Sequence, residues 1–165
     1  MAVDYLSVLA GAMLEYARGE IEAGPVARPV QSESQKDKPT VALVGEMFPV
    51  DAITIDRLLD SLGAAAGPVV PTREWRELYG ALDCKVGAMI HPFYAATARQ
   101  FRAAGRPLVG SAPVGVEGTA AWLEAMGAVL GADKASIDAA ISTQKSAIRA
   151  ALDNNPIDAK ITLSG

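Results

Sequence analysis

The sequence predicts an α/β domain: a parallel sheet of four to five strands with helices on both faces, plus an N-terminal helix. Three observations predict it. From Thr40 onward, short runs that are apolar throughout alternate with longer runs whose apolar residues recur at helical spacing. Strands without polar alternation are buried on both faces, which is the condition of a parallel sheet between helix layers. Half of the residues are hydrophobic but only 5% are aromatic, and alanine is abundant, which suits helices packed closely on a sheet. A length of 165 residues fits one domain with one core. The connections are expected to be right-handed crossovers, giving a Rossmann-like or flavodoxin-like arrangement.

Four segments follow from the pattern: a helix at 1–23, a linker at 24–39, the Rossmann-like domain at 40–158, and the start of a further domain at 159–165. In the first, Leu6, Leu9, Ala10, Met13 and Ala17 share one helical face, while Asp4, Glu15, Arg18 and Glu22 stay wet. That face needs something to pack against. The linker holds Pro25, Pro29 and Pro39 around a polar run from Gln31 to Lys38.

Val41 to Val44 reads as the first strand. Asp51 caps a helix carrying Ile55, Leu58, Leu59 and Leu62, which stops at Gly63. Pro68 to Val70 is a second, weaker strand. Thr72 is the expected cap of the next helix, with Trp75, Leu78, Tyr79 and Leu82 facing inward. Val86 to Ile90 is the third strand, Phe93 to Ala104 a helix ending at Gly105, and Leu108 to Gly110 the fourth strand. Helices near Glu117 to Leu130 and Asp133 to Leu152 follow, the second capped by Asp133. Ala159 to Leu163 reads as one more strand, with Ser164-Gly165 as the loop after it. It either completes this sheet or opens the next domain; we expect the second.

Composition excludes several functions. A net charge of −4 and a pI near 5.0 disfavour nucleic acid, whose phosphates need a basic surface. No apolar run approaches the ~20 residues that span a bilayer. The N-terminus carries Asp4 and no early Lys or Arg, unlike a secretory signal. The single cysteine, Cys84, excludes an internal disulfide, and a cytoplasmic setting is the expectation.

In an open parallel sheet, ligands sit beyond the carboxyl ends of the strands. The loops there are Gly45 to Asp51, Pro71 to Arg73, His91 to Tyr94 and Ser111 to Gly115. They lack a glycine-rich dinucleotide turn, a phosphate loop with Lys-Ser or Lys-Thr, a nucleophile elbow, and metal-ligand spacing. Apolar bulk takes their place: Met47, Phe48, Pro49, Phe93, Tyr94 and Pro113. Such loops mark an interface or a site for a flat hydrophobic ligand, unless the rings fold back on their own helices. His91, the only histidine, is either a proton donor or ligand, or a loop residue bonded to a neighbour. Cys84 precedes strand three, at the opposite end of the sheet, and reads as a small packing residue.

Two stretches carry a resemblance. One runs from Val44-Gly45-Glu46-Met47-Phe48-Pro49-Val50-Asp51 through Leu58-Leu59 to Pro68-Val69-Val70-Pro71-Thr72-Arg73-Glu74-Trp75-Arg76-Glu77-Leu78-Tyr79. The other is Ile90-His91-Pro92-Phe93-Tyr94 with Gly105-Arg106-Pro107-Leu108-Val109-Gly110-Ser111-Ala112-Pro113-Val114-Gly115. Together they resemble the Y-subunit family of chlorophyllide a reductase, nitrogenase-like oxidoreductases of bacteriochlorophyll-making bacteria. The resemblance covers about Thr40 to the end, and Ala159 to Gly165 is similar to the start of that family's next domain.

The resemblance implies a middle domain of a catalytic component that pairs with subunit Z and receives electrons from an ATP-driven reductase, subunit X. Its iron–sulfur cluster sits at the subunit interface, held by cysteines of an N-terminal region that this chain lacks. This domain alone is then expected to hold no cofactor and no metal and to be inactive. The implied reaction reduces a ring-B double bond of chlorophyllide a. Met47, Phe48, Pro49, His91, Tyr94 and Pro113 are the candidate substrate-lining residues, with His91 the candidate proton donor. The same loops are alternatively the seam with other domains or with subunit Z. Two readings from other classes remain beside it: a stand-alone flavodoxin-like small-molecule binding module, and a protein–protein interface domain.

Overall fold

The computed structural model describes residues 2–45 and 51–154. The described residues form helix α1 (Ala2–Ala23), a single 3₁₀ turn (Glu33–Gln35), β1 (Thr40–Val44), α2 (Ala52–Asp60), β2 (Ala65–Val70), α3 (Trp75–Asp83), β3 (Val86–Met89), α4 (Ala95–Ala103), β4 (Leu108–Val109), α5 (Gly115–Leu130) and α6 (Lys134–Asn154). The loop residues Met47, Phe48 and Pro49 and the expected strand Ala159 to Leu163 lie outside the described residues.

The four strands make one parallel sheet in the order β2-β1-β3-β4. β1 lies in the interior of the sheet and is apolar on both sides. Val41 and Leu43 enter one core with Ile55, Leu59, Trp122, Leu123 and Met126 from α2 and α5. Ala42 and Val44 enter a second core with Leu78, Leu82 and Phe101 from α3 and α4. One strand thus supplies both interiors through the two-residue alternation of its side chains. The chain steps from β1 to β2 in one direction and from β2 past β1 to β3 and β4 in the other. Placing α2 on one face and α3 and α4 on the other is the alternation that right-handed crossovers require.

The N-terminal helix finds its packing surface on the α3–α4 side. Ala10, Leu14 and Ala17 are buried there, with Leu14 fully enclosed. Gly11 lets the backbones close up: a Cβ at that position would stand 3.2 Å from the carbonyl carbon of Ala96. Helix α1 also completes α4, whose N-cap residue Tyr94 makes no capping hydrogen bond of its own. The Ala96 N–H donates instead to Ser7 Oγ at 3.2 Å, and Thr97 Oγ1 donates to the Ser7 carbonyl at 3.0 Å. A second tie joins α1 to α3, where Glu20 Oε2 accepts from Tyr79 Oη at 2.7 Å and from Trp75 Nε1 at 2.9 Å.

Strand β2, at the sheet's edge, is closed to further pairing. Its Ala66 N–H donates to Asp56 Oδ1 at 2.8 Å, its Ala66 carbonyl accepts from Gln35 Nε2 at 2.7 Å, and Pro68 has no N–H to offer.

Three expectations need correction. Leu9 does not share the packed face of α1 with Ala10 and Ala17; it lies toward the outer side and is 48% exposed. Thr72 does not cap α3. The helix begins at Trp75, and its start is held by Glu77, whose Oε2 accepts the Arg73 and Glu74 N–H groups at 2.9 and 3.2 Å. The Thr72 hydroxyl is buried without a hydrogen-bond partner among the described residues. Trp75 does not face inward with Leu78 and Leu82. It is 40% exposed and turns toward α1, where its Nε1 donates to Glu20 and its ring meets Tyr16 edge-on. Asp51 and Asp133 do cap α2 and α6, each accepting from the backbone N–H and hydroxyl of the residue three positions on.

Candidate functional site

Because β1 connects to β2 on one side and lies beside β3 on the other, the carboxyl ends of β1 and β3 flank the point where the sheet's winding reverses. That is where an open α/β sheet offers a ligand crevice. Gly45 and His91 stand on either side of it. Gly45 N–H donates to the Val70 carbonyl at 2.8 Å, while the Ile90 and His91 N–H groups share the Val44 carbonyl at 2.9 and 3.4 Å. The ends of three strands are therefore locked together under the crevice.

The approach of Gly45 to His91 is backbone to backbone. Gly45 has φ +111°, and a Cβ there would fall 2.5 Å from His91 Cβ and 2.9 Å from its amide nitrogen. Only glycine meets both demands.

His91 is half-buried. Its ring lies 5.2 Å from the Phe93 ring and 5.9 Å, edge-on, from the Tyr94 ring, measured between centroids. The Phe93 N–H points to His91 Nδ1 at 3.4 Å. With Nδ1 turned toward a donor, the neutral imidazole carries its proton on Nε2. His91 is thus oriented by its own loop, with one nitrogen engaged and a proton on the other.

The structure separates the apolar loop residues of the described part. Phe93 is exposed, at 59%. Tyr94 folds back fully into the α3–α4 core, and Pro113 is buried as well. Ile53 at the start of α2 and Val114 before α5, at 67% and 54% exposed, add apolar surface along the same edge, which sequence reasoning missed. For Ile53 the signal was there: Asp56 and Arg57, three and four positions on, are polar, and helical spacing puts Ile53 on their side of α2 rather than with Ile55, Leu58 and Leu59.

A hollow of about 1130 Å³ lies elsewhere, along the outer side of β2 between the linker and α3, lined by residues including Arg28, Gln31, Lys36, Arg73 and Glu77. His91 is not among its walls. Cys84 is 1% exposed, and its Sγ points to the Gly80 carbonyl at 3.3 Å. Burial pushes its thiol up to about 11. Among the described residues, no group of three His, Cys, Asp or Glu side chains could hold a metal ion. None of their helices is long and apolar enough to cross a membrane.

Fold and edge together define a doubly wound α/β domain with an oriented imidazole and exposed apolar side chains at its ligand edge. The chain belongs to the nitrogenase component 1 type oxidoreductase family, whose model matches residues 7–159. It is 61% identical over 158 residues to the chlorophyllide reductase 52.5 kDa chain of Cereibacter sphaeroides, and 54% identical over 158 residues to the chain of the same name from Rhodobacter capsulatus. Each match takes in 96% of this chain and 31% of the relative, so the chain spans about a third of the length of the curated relatives it matches.

Proposed function

We propose that this domain serves within the catalytic component of a nitrogenase-like, ATP-dependent chlorophyllide a reductase of bacteriochlorophyll synthesis, and that its carboxyl edge lies at the substrate. The observation that carries the reading is the 61% identity to a chlorophyllide reductase chain across nearly the whole sequence. The partners are then the companion catalytic subunit Z, the ATP-driven reductase X and chlorophyllide a, in the cytoplasm. One buried thiol with a raised pKa does not fit the donor set of an iron–sulfur cluster. Such a cluster is not held by these residues; in the complex it belongs to other parts of the assembly.

The role left to this chain is to orient a flat macrocycle and deliver a proton. A chlorin has an apolar face, which suits Met47, Phe48 and Pro49 together with Phe93, while Tyr94 and Pro113 back the loops from beneath. Reduction of a carbon–carbon double bond takes up two electrons and two protons. His91 is the candidate donor of one of these protons, which it would give as the imidazolium. The Phe93 N–H contact at Nδ1 orients the ring within its loop.

A visible-absorption titration of the chain and its His91→Ala variant with chlorophyllide a tests this. The expected result is a saturable red shift that the variant loses. A shift retained in the variant removes His91 from the site.

A second reading is favoured by Ile53, Phe93 and Val114, which expose apolar surface on this same edge. In it the edge is a seam with other domains or with the companion subunit. Absence of any shift, with the edge protected from solvent in the assembled complex, selects that reading.

A further inference from the structure

The outer face of α1 is unlike that of a helix covered only by water. Its inner face is already used by this domain's own core, through Ala10, Leu14 and Ala17. On the opposite side Tyr5, Val8, Leu9 and Tyr16 are 73%, 59%, 48% and 63% exposed. Trp75 of α3 extends the patch, meeting Tyr16 edge-on with ring centroids 5.7 Å apart. Between Tyr5 and Tyr16 the exposed positions carry a single charge, Glu15. Helix α6 shows the contrast: it exposes Lys134, Asp138, Ser142, Thr143, Arg149 and Asp153. The stripe from Tyr5 to Tyr16 runs about 18 Å along the helix, and a soluble domain rarely leaves such a contiguous aromatic and aliphatic band uncovered.

We propose that this face is an interdomain seat, covered in a subunit of the relatives' length by another part of the same polypeptide. The chain has a mass of 17.1 kDa and matches only 31% of a relative named as a 52.5 kDa chain. In such a polypeptide roughly two thirds of the length lies outside the matching segment and is available to cover this face. The occupant is an apolar element of that remainder, one that brings aliphatic side chains to the stripe and hydrogen-bond acceptors to the rim, where the hydroxyls of Tyr5 and Tyr16 need them. The inference is independent of the role of His91.

Hydroxyl-radical footprinting read by mass spectrometry tests it. The isolated chain is compared with a chimera in which it replaces the matching third of the Cereibacter sphaeroides chain. Oxidation of Tyr5, Tyr16 and Trp75 is expected to slow several-fold in the chimera, while Val30, 93% exposed on the linker, is the reference. Equal rates in the two samples overturn the proposal. So does protection that appears in the isolated chain as its concentration rises and is missing from the chimera, since the occupant is then a second copy. Should the chimera not fold, the same comparison is made between the natural 52.5 kDa chain and its own excised matching segment. Equal rates at the helix matching α1 overturn the proposal there too.

Discussion

Gly45 and His91 stand 46 residues apart in sequence, and a Cβ on Gly45 would fall 2.5 Å from His91 Cβ. A Gly45→Ala substitution meets the steric conflict and a φ of +111° together. Backbone strain of this kind costs of order 1–3 kcal/mol. We predict a loss of at least that size in urea unfolding, with a displaced His91 imidazole resonance in the folded variant. An unchanged resonance would mean that the loop absorbs the methyl group elsewhere. His91 was legible in the sequence as a unique histidine at a strand end. The demand on Gly45 was not, because it is set by a backbone brought close by the sheet. Trp75 was misread for a related reason. Helical spacing puts it on the side of Leu78 and Tyr79, but spacing does not say that α1 lies against that turn and draws the indole toward Glu20 and Tyr16.

Among the elements, α1 and α4 depend on one another through Ser7, which is 2% exposed. Ser7→Ala leaves the Ala96 N–H without its acceptor, and the loss of such a cap costs about 1 kcal/mol, within a range of ~0.5–2. Thermal melts read by circular dichroism should show that decrease. Ser7→Thr should retain more of the stability than Ser7→Ala if the hydroxyl is what matters. The amphipathic pattern of α1 was plain in the sequence, including the need for a partner surface. Its partner was not, because the capping bond spans 89 residues. The caps of α2 and α6 were legible because Asp51 and Asp133 act on residues three positions away. The start of α3 was not, since Glu77 reaches backward from inside the helix and so outcompetes the Thr72 signal.

For the molecule as a whole, pH acts at both ends of the scale. Hydrogen bonds from Thr54 and Ser136 hold the Asp51 and Asp133 carboxyls below their ordinary value. Their contribution is present above the ordinary carboxylate range and is lost as pH falls through the lowered values. Cys84 shifts from 9.0 to about 11 by burial, and the Glu20 carboxylate raises the Tyr79 phenol. The unfolded chain releases these two protons at lower pH than the folded one, so stability declines as pH rises from about 9. Melting temperature should therefore plateau near neutrality and fall on both sides, with Cys84→Ala flattening part of the alkaline limb. A disulfide reagent at pH 8 should find no thiol in the folded chain and one after denaturation. The global fold was legible because β1, apolar on both faces, and the amphipathic runs around it agree on one architecture. The apolar edge was legible only as a set, because burial divides Tyr94 and Pro113 from Phe93 while sequence treats them alike.

The bond from Ser7 to Ala96 also sets a schedule for synthesis. Helix α1 leaves the ribosome 89 residues before the amide it caps. At ~5–20 residues per second, that interval is roughly 4–18 s. Throughout it, Leu14 and Ala17 have no α4 to bury them and Ser7 has no donor to meet. For those seconds the nascent helix presents two apolar faces instead of one, the condition in which a growing chain is most exposed to aggregation.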